Sequence, residues 1–72
     1  MKAWTDYPLT ELGDMAGVAA PIREVEIVAY DGDKYVRVIA DGLTVEIKAG
    51  YLYYDRGRLG EVAQIPCHKL PR

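Results

Sequence analysis

From Ile22 to Lys48 apolar and polar residues alternate with period two, and the alternation stays in phase across two tight turns. Val25, Ile27 and Ala29 alternate with Glu24, Glu26, Val28 and Tyr30. Val36, Val38 and Ala40 then alternate with Tyr35, Arg37 and Ile39, and Leu43, Val45 and Ile47 with Thr44, Glu46 and Lys48. A chain patterned this way must bury one face of an antiparallel meander. Asp41-Gly42 is a two-residue type I′ turn signal, which pairs Ala40 with Leu43, Val38 with Val45 and Val36 with Ile47. The same register sets Arg37 opposite Glu46 and Tyr35 opposite Lys48, both favourable cross-strand pairs. In the first hairpin, a turn at Gly32-Asp33 is expected to pair Tyr30 with Tyr35, Ala29 with Val36 and Ile27 with Val38. A slip of one residue would turn every apolar side chain outward.

The flanks are less regular. Pro8, Gly13, Gly17 and Pro21 punctuate residues 1–21, which read as a short strand over 3–7 followed by an ordered loop anchored by Trp4, Leu9, Leu12 and Val18, or as a mobile arm if those anchors are not buried. After an Ala49-Gly50 kink, Tyr51–Tyr54 reads as a further strand, rich in the aromatics that suit pleated surfaces. Asp55–Arg58 is a charged turn, and residues 61–65 form a last short strand ended by Pro66. Residues 66–72 form a tail anchored by Leu70. The expected fold is mainly β: one domain over 1–72, a small five-stranded SH3-like barrel with strands near 22–30, 35–40, 43–48, 51–54 and 61–65. An OB-like barrel or an open sheet under a loop are the alternatives.

With 50% apolar and 28% charged residues the chain is globular rather than disordered. A lone cysteine, Cys67, allows no intrachain disulfide and suits the reducing cytoplasm. No apolar signal region follows Met1, and no run approaches the roughly 18 apolar residues of a membrane span. The net charge of −2 conceals an uneven distribution, −5 over residues 1–46 and +3 over 47–72. That is either a mixed solvated surface or a dipole that steers a charged partner.

Catalytic chemistry finds little footing. The chain has no serine, one histidine and no glycine-rich phosphate loop. Asp31-Gly32-Asp33-Lys34 with Asp41 lacks the ligand count of a calcium loop and reads as turn chemistry. Cys67-His68 alone supplies too few ligands for zinc. The sequence implies no metal, cofactor or catalytic residue.

Six tyrosines and one tryptophan, with no phenylalanine, are the better clue. Tyrosine suits half-wet positions, because its ring buries area while its hydroxyl keeps a partner. The expected register sets Tyr30, Tyr35 and Lys48 in one row of the non-core face, near Val28 and Ile39. That face is either covered by a second layer or a protein-binding surface, where tyrosine and arginine are enriched. The candidate contact surface is Tyr30, Tyr35, Arg37 and Lys48, extended by Tyr51, Tyr53, Arg56 and Arg58. Tyr51, Tyr53 and Tyr54 beside Arg56 and Arg58 also suit a single-stranded nucleic-acid platform, against which an isoelectric point near 5.2 argues. An open sheet edge, or the tyrosine face, leaves a homodimer as a further alternative.

Several phrases together resemble a family of short uncharacterised proteins of bacterial prophages and other mobile elements. They are Trp4–Pro8, Glu11–Asp14, Ala20–Val25, Tyr30–Tyr35 and Lys48–Tyr53. The resemblance implies no activity, only a setting in which small accessory and host-interaction proteins are common. Ala63-Gln64-Ile65-Pro66 is also similar to the Val-Gln-Ile-Tyr stretch of the plasmid-type, trimethoprim-insensitive dihydrofolate reductases. Those are SH3-like barrels that build one active site from four chains. The stretch departs at its first and fourth residues, which puts a reductase in doubt; the expected function is non-enzymatic binding of another protein.

Overall fold

The computed structural model describes residues 1–56 and 63–72. Its centre is a four-stranded antiparallel sheet in sequential order: β1 (Lys2–Thr5), β2 (Arg23–Tyr30), β3 (Tyr35–Ala40) and β4 (Leu43–Lys48). Among the described residues, single 3-10 turns at Thr10–Leu12 and Cys67–Lys69 are the only helical elements, and neither is long and apolar enough to cross a membrane.

The β3–β4 hairpin has the register read from the sequence, from Ala40 opposite Leu43 to Tyr35 opposite Lys48. Asp41 and Gly42 both take positive φ, +49° and +79°, the backbone a type I′ turn requires. The β2–β3 hairpin keeps Ile27 opposite Val38 but then departs. A bulge leaves Val28 without a partner, so Ala29 faces Arg37 and Tyr30 faces Val36. The expected Tyr30–Tyr35 and Ala29–Val36 pairs are absent, and Tyr30 lies on the core side, packed against the buried cluster. The cause is local. Asp31 Oδ1 accepts the backbone N–H groups of Asp33, Lys34 and Tyr35 at 2.7, 3.0 and 3.2 Å, which closes a three-residue loop, Gly32–Lys34, between Asp31 and Tyr35 in place of a two-residue turn. The surplus residue is absorbed at Val28. A ring rather than the small Ala29 then fills that end of the core, and its hydroxyl donates to the Asp33 carbonyl at 3.0 Å.

One side of the sheet carries the core: Ala3, Val25, Ile27, Val36, Val38, Ala40, Val45 and Ile47. Leu9, Leu52, Ile65 and Leu70 close over it from outside the strands. After β4 the chain crosses to the far edge, where Tyr53 bridges Trp4 on one side and Gln64 on the other. Trp4 and Tyr53 exchange backbone hydrogen bonds of 2.8 and 2.9 Å, and Ile65 N–H donates to Leu52 at 2.9 Å. The expected strands at 51–54 and 61–65 are thus reduced to isolated bridges, and Glu61 and Val62 lie outside the described residues. The sheet is mainly β and antiparallel but not closed into a barrel: no described segment pairs with the outer edge of β4.

The N-terminal stretch packs as an ordered loop, though not on all its expected anchors. Leu9 is buried and Leu12 half-buried. Val18 is 55% exposed, and Trp4 sits on the sheet face away from the core, opposite Glu24. What holds the loop is an ion pair: both Arg23 guanidinium Nη atoms grip the Asp14 carboxylate, one at 2.7 Å. Asp14 also accepts the Leu9 N–H at 2.8 Å. The Arg23 hydrogen bond, then that of Leu9, lowers the Asp14 pKa from 3.8 to about 2. A carboxyl more acidic in the folded state than in the unfolded one contributes stability above its unfolded pKa and loses it as pH falls toward the folded value. Asp14→Asn is therefore expected to flatten the acid limb of the stability–pH curve between pH 3.8 and about 2. Urea titrations across that range check it, and parallel curves for the two proteins would refute it.

Candidate functional site

The face of the sheet opposite the core is built by simple alternation. Its rows run Lys48–Tyr35, Glu46–Arg37–Ala29, and Thr44–Ile39–Glu26–Lys2. The bulge adds Val28 to this face beside Ala29, because both bulged residues leave the core side. Arg37 is thus surrounded by Tyr35 and Ile39 on its own strand, Val28 and Ala29 on β2, and Glu46 on β4. Tyr35, Ile39 and Val28 are 40%, 39% and 42% exposed, a patch of apolar surface around one guanidinium. A shallow groove of about 90 Å³ opens beside it, lined by Tyr30, Asp31, Tyr35, Arg37 and Glu46 among others.

The structure brings together Tyr35, Arg37 and Lys48, as expected, and leaves the other candidates apart. Tyr30 reaches only the groove wall, its ring turned to the core and the Cys67 thiol against its hydroxyl. Burial, then that thiol, pushes its pKa up. Tyr53 and Arg56 belong to the opposite corner. Arg56 lies over the Trp4 ring, 5.8 Å from its centroid, and burial followed by the Asp6 charge raises the Tyr53 pKa. That corner is five residues along β2 and two strands across from Arg37, roughly 20 Å at about 3.3 Å per residue and about 4.8 Å per strand. Tyr51 stacks edge-on against Tyr7, centroids 5.0 Å apart. Arg58 lies outside the described residues. Of the aromatics read as a base-stacking platform, Tyr51 packs against Tyr7, Tyr53 is half-buried, and Tyr54 stays 46% exposed.

Sequence reasoning placed Val28 and Ile39 near the surface without counting them as contacts. The signal was their position: β-branched apolar residues in the polar phase of two strands. It had no means of placing Tyr30 against Cys67. The stretch compared with the reductase motif is divided by burial, with Gln64 exposed and Ile65 1% exposed in the core, so Ile65 is not free to line an active site shared between chains. Among the described residues no three His, Cys, Asp or Glu side chains converge on a metal-sized site. Comparison with protein-family models, with curated proteins and with solved structures finds no match.

Proposed function

We propose that this chain binds a protein partner through the outer face of its sheet, with Arg37 at the centre of the contact. The observation that carries this is the exposure of Val28, Tyr35 and Ile39 around that arginine on the outer face of the sheet. Apolar groups surrounding a charge that can be desolvated on docking are the usual make-up of an interface centre, where tyrosine and arginine dominate the binding energy. Glu26, Glu46 and Lys48 form a rim of both signs, which favours orientation and specificity over raw affinity. Such a surface needs a stiff support, and the bent meander with its two extra rungs at Tyr53 and Gln64 supplies one; we read it as an opened SH3-like barrel.

The test is affinity capture with the tagged protein, followed by measured binding of whatever is recovered. Tyr35→Ala and Arg37→Ala are each expected to weaken binding about 30-fold or more, the range of interface hot spots. Met15→Ala, a change at a residue 70% exposed and away from the strands, is expected to leave it unaltered. Equal binding by all three variants would refute the assignment. Retention on single-stranded DNA that falls steeply with salt would instead identify a nucleic-acid ligand.

A further inference from the structure

The open edge of β4 carries a pattern that a second copy of the chain would complete. The two-residue Asp41-Gly42 turn makes Ala40–Leu43 a hydrogen-bonded pair, and alternation extends this to Val38–Val45 and Val36–Ile47. The Ala49 N–H, donating to Lys34 at 2.7 Å, continues the series. Thr44, Glu46 and Lys48 therefore turn their backbone N–H and C=O groups away from β3, and no described segment receives them. β4 is six residues long with no proline and no bulge, and its edge carries charges but forms no backbone pair with any described segment.

Those charges are arranged by sign along the edge. At the turn-distal end, Lys48 and Lys34 line a groove of about 460 Å³ with Tyr35 and Cys67, Asp33 being the one acid there. Glu46 joins Glu11, Tyr7 and Thr10 around a second groove, of about 420 Å³, between the edge and the N-terminal loop. An edge basic toward one end and acidic toward the other is self-complementary under a two-fold axis, which lays each end against its opposite.

We infer that β4 pairs antiparallel with β4 of a second copy about a two-fold axis at Ile47, with Glu46 of each chain opposite Lys48 of the other. The ladder runs through Glu46–Lys48 and is flanked by Val45 opposite Ala49. An axis at Glu46 would instead oppose two carboxylates, and one at Val45 would leave Lys48 facing the turn. The product is a continuous eight-stranded sheet that doubles the outer face around Arg37. It stands independently of the partner proposed above, because it is read with the purified chain alone.

Sedimentation velocity over a concentration series, at low and high salt, tests it. The expected result is a concentration-dependent shift from monomer to dimer mass, weakened by salt. Lys48→Glu sets like charges opposite each other at two symmetric positions and is expected to raise the dimer dissociation constant about tenfold. The E46K/K48E double variant restores the opposite-sign pairs and is expected to recover most of that loss. Glu46→Pro removes an N–H that points outward, sparing the ladder to β3, and is expected to give a folded monomer by circular dichroism. A monomer at every concentration, a dimer indifferent to Lys48→Glu, or a double variant that stays as weak as the single one would each overturn the proposal.

Discussion

Leu52→Ala is expected to remove most of the chain's stability at room temperature. Leu52 is fully buried although it belongs to none of the four strands. It enters the core from the segment that crosses from β4 to the edge of β1. Truncating a buried leucine costs about 2–5 kcal/mol, the lost transfer energy plus the cavity left behind. A single core in so small a domain supplies only roughly 3–5 kcal/mol in all, so one substitution consumes most of the margin. Urea unfolding followed by far-ultraviolet circular dichroism measures it. Val18→Ala, at an exposed position in the same molecule, is expected to shift stability by no more than about 0.5 kcal/mol. An unchanged midpoint for Leu52→Ala would mean that the crossing segment is not part of the cooperative unit.

Gly50→Ala is expected to destabilise by about 1–3 kcal/mol, the cost of holding an L side chain in a sparsely populated backbone conformation. Gly50 has φ of +104°, and it is the residue at which the chain leaves β4. Space is not the obstacle, since an added Cβ would meet only Gln64 Nε2 at an ordinary 3.5 Å. The strain is torsional, so Gln64→Ala in the same chain is expected to give no relief. Recovery of stability in that double variant would show that the side-chain contact, not φ, sets the cost.

The β3–β4 register was legible in full, because a two-residue turn with positive φ at both positions leaves one way to pair the strands it joins. The β2–β3 hairpin was legible only as far as Ile27. Beyond it stand Val28, Ala29 and Tyr30, three residues that tolerate either face. Valine suits a half-exposed strand position, alanine buries little on either side, and tyrosine is at home half-wet. Alternation carries no information there, and the choice passed to the Asp31 side chain, whose hold on three backbone N–H groups set the loop. The candidate surface shared this fate: Tyr35, Arg37 and Lys48, next to the well-defined turn, were placed together, while Tyr30 was put on the wrong side of the sheet. The Asp14–Arg23 pair escaped notice because its partners lie nine residues apart in a stretch without period, where nothing local brings them together.

The unpaired residue at the bulge offers a practical vantage point. Val28 contributes no ladder pair and projects outward beside Arg37, so, once the exposed Cys67 is replaced by alanine, its side chain can be exchanged for a cysteine-linked fluorophore. A dye at that position would sit within the surface assigned to partner binding yet away from the β4 rim. Its emission would report docking on the face, while assembly along the rim would leave it nearly silent.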